Sequence, residues 1–584
     1  MTKFLRRHST LLIWIWFALL AILFTRPLIV RMTHEIAGEI GDNVYFIWMI
    51  GWWQKALFQT HSNPLDVRFL NYPEGWNMAH TEMAPAQLIL AQPFSLLKGE
   101  TFAYNMVMLL SFILSGVIMY GWVRHLTGST LAGVLSGTIY ACLPYRQAHY
   151  LIGHLNLSGT QWLPLFFWGW FDLLKEGTGE IRKKAALLAA LGLGLTALTS
   201  QYYFFMLVII AALMALFTIF FRDRAKLRDP AFYKNCGLFI CFALPMLAAA
   251  ELPFLMLAGE GGMPDRDWGG VRMYSAGLTD YLLPATTHFL FGNFVGAHFN
   301  RDVWTEATLY VGVFSLALFI IGICRKEQRS FLKWMFVSGI LSAVILSMGT
   351  DLHWNGAPVE WTLPAFLQEK FGRETLPILL PGFFFFKYFP FFAKLRAMMR
   401  FGIIAECLIA CGAGFGLIAL FRKFPGKTAL VTAVTLFLVI FEFFPKSQKA
   451  FAPVSARPVD HWLAEQLGEG SVMRIPFTLN DDQAGTYYTL TNEKPFIGGF
   501  FNAFPPNQYK QISGTMSGFP SEESLSLARE LQVEWVLIEE NELNRAIAEG
   551  TVPWSSSAEC FAAAESLGLK TEKRFGDISV YHIN

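Results

Sequence analysis

Charge is scarce in this chain, and that scarcity excludes several classes of protein. Only 15% of the 584 residues are charged, against about 25% in soluble globular domains. Hydrophobic residues make up 54% of the sequence, and the mean hydropathy is +0.40. The net charge is only +2 and the Lys and Arg residues form no basic stripe, so a nucleic-acid-binding surface is not expected. The composition predicts a multi-spanning membrane protein rather than a water-soluble globule.

Cysteine is scarce too, and the common nucleotide-binding motifs are missing. Of the seven Cys residues only Cys560 lies beyond residue 444, so the C-terminal part has no internal disulfide. The seven Cys build neither a zinc spacing nor a Cys-His nucleophile pair. The sequence has no Walker pattern, no other phosphate-binding glycine loop and no internal repeat. An ATP-driven pump and a solenoid are therefore not expected.

Apolar runs occupy much of the first 444 residues. A bilayer's hydrocarbon core is about 30 Å thick, and a helix of about 20 residues crosses it. The runs have that length or somewhat less. They predict an α-helical bundle of about eleven transmembrane helices, at residues 11–30, 103–123, 130–143, 157–174, 185–199, 204–221, 236–258, 306–323, 334–349, 401–421 and 429–444.

Basic residues are distributed unequally between the connections of this bundle. One alternating set, which includes the N-terminus, carries 20 Lys and Arg in 57 residues, and the other set carries 14 in 187 residues. Cytoplasmic connections are the ones enriched in Lys and Arg. We therefore predict a multi-pass protein of the cell (inner) membrane with its N-terminus in the cytoplasm and its long loops, including 31–102, outside.

The segment 445–584 has the pattern of a small α/β domain. SVMRIPF, VEWVLIEE and DISVYHI are typical of strands, and SEESLSLARELQ is typical of an amphipathic helix with a capping residue at its start. With an odd number of spans before it, this domain is predicted to be extracytoplasmic. The expected organisation is a transmembrane module over 1–444 and a soluble domain over 445–584.

Five segments of the chain resemble those of a known superfamily when they are taken in order. They are GEIGDNVYFIWMIGWW, NYPEGWNMAH, YNMVMLLSFILSG, YRQAHYLIGHLNLSGTQWLPL and LRAMMRFG. Together with the predicted topology they resemble the GT-C superfamily of membrane glycosyltransferases over most of residues 10–444. The later segment TYYTLTNEKPFIGGF is similar to one in the C-terminal outer domain of bacterial YfhO-like proteins.

The resemblance implies a reaction and a set of partners. A GT-C enzyme moves a sugar from a polyprenyl-phosphate donor to the hydroxyl of a lipid or glycan acceptor on the extracytoplasmic face, with inversion. It implies no cofactor. Donors of the polyprenyl monophosphate type do not generally require a metal, and we expect none here, although DRD at 265–267 superficially resembles a metal-binding Asp-x-Asp.

Asp42, in the EIGDN segment, is the predicted catalytic base. The resemblance matches it to the first-loop aspartate of the superfamily, and a sugar hydroxyl needs a positioned base to become a good nucleophile. One other role remains open at this point: Asp42 is also a good N-cap for the stretch VYFIWMIGWWQKAL, which we expect to lie at the membrane interface. Glu39 is a supporting candidate, although a solvated-loop position is the favoured interpretation for it.

Two basic clusters are candidates for binding the donor phosphate. Arg146, His149 and His154 fall within nine residues of an outer loop, where guanidinium and imidazole groups suit a phosphate or a sugar hydroxyl. Arg146 and His154 are the donor-phosphate candidates of this cluster, and His149 is a candidate for acceptor contact or support. Arg396 and Arg400 lie with Lys394 at the outer entrance of the tenth predicted span. Interfacial anchoring to lipid headgroups is the alternative for both clusters.

Two glutamates near the membrane complete the candidate site residues. Glu306, at an outer boundary, is predicted to contact the acceptor or Arg400. Glu406 lies inside a predicted span, where a carboxylate is costly and pairing within the bundle is the expectation.

Two other functions are compatible with many of these features. A lipid or polysaccharide transporter would also have many spans and buried charges, but the inverted repeats common in transporters are not visible in this sequence. A non-catalytic membrane assembly protein of cell-envelope biogenesis is the other alternative. The sequence favours the glycosyltransferase through its resemblance and through Asp42.

Overall fold

The computed structural model describes residues 9–259, 264–325, 330–468, 470–477, 482–501 and 505–583. The predicted cytoplasmic N-terminus with Lys3, Arg6 and Arg7 therefore lies outside the described residues, apart from its end. The described chain is mostly helical and divides into two compact units. The first comprises 1–30, 84–87 and 107–449, and the second comprises 31–83, 88–106 and 450–584. Most of the predicted outer loop thus belongs to the same unit as the C-terminal segment.

Helices of the first unit follow the eleven apolar runs, but they differ in length. Five are long and apolar enough to cross a membrane: Glu100–Thr127, Gln201–Phe221, Pro230–Gly259, Ser330–Ser347 and Met398–Lys423. The runs that remain form shorter helices, at Ser9–Phe24, Thr130–Ala141, Trp162–Leu174, Lys183–Ala197, Val313–Ile323 and Thr428–Phe443. Several long apolar helices make this a multi-pass membrane protein, whereas the number eleven stays a prediction.

The connections between these helices contain short elements of their own. The remaining helices of the first unit are Pro144–Leu151, Leu155–Ser158, Trp268–Met273, Leu278–Leu282, Gly292–His298, Ala365–Phe371 and Pro381–Tyr388. Two small antiparallel ribbons pair His353–Trp354 with Ala357–Pro358 and Glu360–Thr362 with Thr375–Pro377. The helix Pro85–Lys98 and the first residues of Glu100–Thr127 extend from one unit into the other.

The helix Gly402–Lys423 is the centre of the first unit. Most of its residues are buried, and it packs against the helix Val313–Ile323 with very close backbones. A Cβ atom added to Gly416 would lie 2.0 Å from the carbonyl oxygen of Leu318. Small residues permit such close approach between helices in a membrane, where packing rather than water exclusion drives association.

The side chain of Glu442 caps the N-terminus of the helix Val313–Ile323. Its carboxylate accepts hydrogen bonds from the backbone N–H of Val313 at 2.5 Å and of Phe314 at 3.2 Å, and from the hydroxyl of Tyr310 at 2.8 Å. The first N–H groups of a helix have no partner within the helix, and they attract negative charge. A carboxylate from the helix Thr428–Phe443 thus satisfies donors that hydrocarbon would leave unpaired.

A four-stranded mixed sheet forms the core of the second unit. Its strands lie in the order Thr571–Phe575, Ile578–His582, Val533–Glu539 and Ser471–Ile475, with the last pair parallel and the others antiparallel. The predicted strands are therefore confirmed. The predicted amphipathic helix is observed as Glu522–Glu530, with Ser521 as its N-cap.

The other elements of the second unit are short. Its remaining helices are Asp42–Gln54, Pro458–Ala464, Asp482–Asn492, Asn507–Ser517, Glu540–Ala548 and Ser557–Ser566. The strands Glu35–Ala37 and Phe451–Pro453 pair antiparallel, as do Asp66–Val67 and Trp76–Asn77. The first of these pairs joins the predicted outer loop to the segment after residue 444, and the predicted domain boundary there stays a prediction.

The tryptophans of the GWW segment, which were expected at headgroup level, are buried in protein, and the position of the segment relative to the membrane stays a prediction. Trp48, Trp52 and Trp53 are buried within the second unit. The indole N–H of Trp48 donates to the Thr489 hydroxyl at 3.1 Å, and that of Trp52 donates to the carbonyl of Pro64 at 2.8 Å. These tryptophans fill a protein core because the loop that carries them folds with the C-terminal segment.

The predicted topology is testable by cysteine labelling in intact cells or spheroplasts. Cys560 is buried, so an engineered site is a better reporter of the C-terminal domain. Leu467 is 93% exposed, and Lys427 is exposed at the end of a predicted cytoplasmic connection. With Cys241 and Cys324 replaced by Ala, an impermeant maleimide should label Leu467→Cys and leave Lys427→Cys unlabelled. The reverse pattern would contradict the topology.

Candidate functional site

Four predicted site residues of the first unit contact one another in a continuous series, of which three are buried and His154 is half-buried. Arg400 binds Glu306, Glu306 faces His149, and His149 contacts His154. His149 is on the helix Pro144–Leu151, and His154 immediately precedes the short helix Leu155–Ser158. Glu306 lies in a turn before the helix Val313–Ile323, not within a helix as the predicted span 306–323 implied.

The ion pair between Arg400 and Glu306 is bidentate. The Nε of Arg400 lies 3.0 Å and 3.1 Å from the two carboxylate oxygens, and Nη2 lies 2.5 Å from Oε1. Their side chains are only 8% and 6% exposed, and the guanidinium lies 4.4 Å from the centre of the Tyr202 ring. Glu306 was predicted to contact the acceptor or Arg400, and the structure shows the contact with Arg400. The charge of Arg400 is already balanced within the protein, and its role toward a donor stays a prediction.

The ion pair determines the charge state of Glu306, whereas burial determines that of His149. Burial by itself would raise the pKa of Glu306, but the charge of Arg400 outweighs it and holds that pKa at about 2. Burial lowers the pKa of His149 well below 6.5, although the charge of Glu306 opposes this. At neutral pH the chain therefore contains an ionised Glu306 and a neutral His149.

The two histidines share a single short contact. The Nδ1 atoms of His149 and His154 are 2.9 Å apart, so the N–H of one ring donates a hydrogen bond to the unprotonated Nδ1 of the other. His149 Nε2 lies 3.7 Å from Glu306 Oε2 and has no hydrogen-bond partner among the described residues. His154 is half-buried, which makes it the more accessible end of the chain. This arrangement fixes the ring of His154 through residues that themselves do not reach solvent.

His149, His154 and Glu306 also have the geometry of a cation site. Each offers one ligand atom, and these atoms lie within 4.8 Å of one another. Imidazole and carboxylate ligands suit zinc and other first-row transition metals. Arg400 competes for the same carboxylate, because it already binds both of its oxygens. The residues therefore fit a divalent cation only if Glu306 is shared with Arg400.

The two aspartates of the DRD motif each contact a different part of the chain. The carboxylate of Asp267 accepts from the backbone N–H of Gly270 at 2.8 Å and caps the helix Trp268–Met273. Asp265 forms an ion pair with Lys394 at 3.2 Å. The two carboxylates are thus engaged in separate interactions.

Arg146 lies apart from the two histidines that neighbour it in sequence. It is completely buried, and its guanidinium donates to the hydroxyls of Ser111, at 3.0 Å, and Thr160. The ring of Phe112 lies 4.8 Å away, and no carboxylate of the described residues forms an ion pair with it. Arg146 therefore joins helices inside the bundle, and its predicted contact with a donor phosphate stays a prediction.

Arg396 is the basic candidate with the most accessible charge. It is exposed, its guanidinium lies 4.7 Å from the centre of the Tyr274 ring, and the described part of the chain provides no carboxylate ion-pair partner for it. The other two basic residues of this segment do form ion pairs, Lys394 with Asp265 and Arg400 with Glu306. Arg396 is thus exposed and has no carboxylate ion-pair partner among the described residues, and its predicted contact with a donor phosphate stays a prediction.

Glu406 does not show the pairing expected from the sequence. It is fully buried in the helix Gly402–Lys423, and both of its carboxylate oxygens lack a hydrogen-bond partner among the residues that the structure describes. Neutralisation by a bound proton is the usual response of a carboxyl group in such a position.

Asp42 and Glu39 lie in the second unit. The helix Asp42–Gln54 has Gly41 as its N-cap, and the Asn43 side chain accepts from the backbone N–H of Gly41 at 2.9 Å and of Val44 at 2.8 Å. Asp42 is half-buried in the first turn and is not the N-cap, so the capping alternative is wrong. Glu39 is exposed. The catalytic role of Asp42 stays a prediction.

The tyrosines around Arg400 were missed by sequence analysis. Tyr202 stacks on the guanidinium, and the hydroxyls of Tyr145 and Tyr203 lie 3.0 Å apart nearby. The only signal in the sequence is the Tyr-Tyr pair at the start of the helix Gln201–Phe221. Without tertiary contacts, such a pair is equally typical of the membrane interface.

The ion pair predicts a specific pattern of stabilities. Glu306→Leu should cost about 3 to 5 kcal/mol because it leaves a buried guanidinium unpaired. The double variant Glu306→Leu, Arg400→Met should recover most of that loss, which thermal unfolding in detergent would measure. A double variant no more stable than Glu306→Leu would contradict the pairing.

The pH dependence of the same stability has a predicted sign. Because the pKa of Glu306 is lowered from 4.5 to about 2, its contribution is complete above about pH 4.5 and is lost as the pH falls toward 2. The double variant should lack this acid-sensitive component.

Known structures share the fold of this chain at low sequence identity. The apo crystal structure of the Archaeoglobus fulgidus oligosaccharyltransferase is similar with a TM-score of 0.54 and 14% identity, covering 91% of this chain and 69% of that one. The mycobacterial arabinofuranosyltransferase AftD is similar with a TM-score of 0.54 and 12% identity, over 99% of this chain and 40% of that one. The fold is therefore that of the GT-C membrane glycosyltransferases.

Sequence comparisons give a family but no activity. No curated protein matches the chain. The family model described as a domain of unknown function, DUF6311, matches residues 11–373, and the chain thus belongs to the DUF6311 family.

Proposed function

We propose that this protein is an inverting membrane glycosyltransferase that uses a polyprenyl-phosphate sugar. The GT-C fold, shared with an oligosaccharyltransferase and an arabinofuranosyltransferase, is the observation that carries the proposal. Fold alone does not define an activity, so the assignment rests equally on the chemistry of the candidate residues. The acceptor is a lipid or glycan hydroxyl on the extracytoplasmic face, where the predicted topology puts the long loops.

Asp42 acts as the base in this proposal. Its carboxylate takes the proton of the acceptor hydroxyl as the oxygen forms a bond to the anomeric carbon of the sugar. The bond from that carbon to the phosphate oxygen breaks on the opposite face, which inverts the configuration. The lipid phosphate leaves with the electron pair, and it needs no acid because a phosphate is already a stable anion.

Positive charge and hydrogen-bond donors stabilise the departing phosphate. Arg396 supplies an exposed guanidinium without an ion-pair partner in the described chain. Arg400 is oriented by Glu306, and His154 is oriented by His149. In this proposal Glu306 and His149 act on the reaction through the residues that they position. Arg146 holds the surrounding helices together.

Catalysis by a positioned base predicts a steep effect at Asp42. Asp42→Asn should lower transfer at least about 10²-fold, because Asn has nearly the same shape but does not accept a proton. Since Gly41 is the N-cap, the substitution leaves the helix start intact. The measurement is turnover of the purified full-length protein with a panel of polyprenyl-phosphate sugars.

The exposed Glu523 provides a charge control for Asp42. Glu523→Gln removes an acidic charge from a surface position of the same unit and should leave turnover unchanged. Near-normal turnover of Asp42→Asn would remove Asp42 from the reaction. A chelator in the same assay should have no effect, and loss of activity that is restored by a divalent cation would assign His149, His154 and Glu306 to a metal instead.

Donor binding should depend on Arg396. A charge-assisted hydrogen bond contributes about 1.5 to 3 kcal/mol, so Arg396→Ala should weaken binding of a polyprenyl-phosphate sugar about ten- to a hundredfold. Lys394→Ala is the control, because its charge is already paired with Asp265. Equal donor affinities of the two variants would exclude Arg396 from the phosphate site.

A further inference from the structure

A lateral groove lies on the first unit, away from the candidate residues. Its walls come from the helices Val313–Ile323 and Thr428–Phe443 and from the last residues of Gly402–Lys423. Its volume is about 480 Å³, within the range of small-ligand sites. The lining is aliphatic and aromatic, and of the lining residues that the structure describes only Lys427 is charged.

The dimensions of the helices favour a hydrocarbon chain as the occupant. Val313–Ile323 has 11 residues and at 1.5 Å per residue is about 16 Å long, roughly half the thickness of a bilayer core. Leu430 and Val434 on the facing helix are 60% and 47% exposed. Within a bilayer, a groove beside a short helix is filled by lipid, because its apolar walls offer water few hydrogen-bond partners.

The charge at one end of the groove selects among lipids. Lys427 is exposed just before the helix Thr428–Phe443, and the described residues provide no carboxylate ion-pair partner for it. Arg422 and Lys423 end the preceding helix Gly402–Lys423 and are not among the residues that line the groove. Basic residues next to a membrane attract anionic headgroups by about 1 kcal/mol each, or about fivefold in affinity.

We propose that this groove is a binding site for an anionic glycerophospholipid. One acyl chain lies along the apolar walls, and the phosphate of the headgroup lies at Lys427. The site is separate from the proposed transfer reaction and does not depend on it. In the predicted topology the headgroup belongs to the cytoplasmic leaflet.

Competition between two lipids tests the proposal. The purified full-length protein would be equilibrated in neutral detergent with equimolar phosphatidylglycerol and phosphatidylcholine of identical chains, and the retained lipids would be counted by native mass spectrometry. We expect retained phosphatidylglycerol to exceed phosphatidylcholine about fivefold. Lys427→Gln should abolish this preference, whereas Lys387→Gln, an equal change in net charge on another helix, should preserve it.

A second pair of variants tests the apolar walls. Ala317 is an exposed lining residue, so Ala317→Trp should fill the groove without disturbing the core, and it should lower the retention of both lipids. Leu341→Trp, at a 54% exposed position of the helix Ser330–Ser347, is the matched control and should retain lipid normally. An unchanged preference in Lys427→Gln, or unchanged retention in Ala317→Trp, would overturn the proposal.

Discussion

The candidate site depends on one buried ion pair, between Glu306 and Arg400, because a charged group that is removed from water needs a partner of opposite charge. Glu306 and Arg400 lie 94 residues apart in sequence, and each brings its own element to the pair: a turn before one helix and the entrance of the most buried helix. Desolvating either charged group alone would cost several kcal/mol, so the ion pair holds the two elements together. His149 and His154 acquire their orientation from the same pair.

Periodicity and composition predicted the parts of this fold that depend on local sequence. The strands SVMRIPF and VEWVLIEE and the helix beginning after Ser521 were predictable because alternation and capping are encoded within ten residues. The apolar runs located the helices for the same reason. Their lengths were less predictable, as the run 306–323 shows, because Gly312 and the Glu442 carboxylate begin that helix only at Val313.

Tertiary contacts decided the features that the sequence misassigned. The tryptophans of the GWW segment have a typical interfacial composition, yet Trp48 donates to Thr489, 441 residues later, in the core of the second unit. Local preference also failed at Asp42, where Gly41 with Asn43 performs the capping that an Asp commonly provides. The cluster of His149 with Glu306 was not predictable from spacing, although each residue was a candidate through its chemistry. Arg146 lies three residues before His149 in the sequence, yet the two side chains contact different partners.

The Glu442 carboxylate at the start of the helix Val313–Ile323 has a mechanical consequence. Sliding Thr428–Phe443 along its axis by even one residue, about 1.5 Å, would withdraw the carboxylate from the Val313 and Phe314 amides and leave them bare in hydrocarbon. These hydrogen bonds therefore fix the register of the two helices. Because these two helices also line the groove, we expect the same hydrogen bonds to preorganise its walls and to limit the cost of rearrangement when the proposed lipid binds.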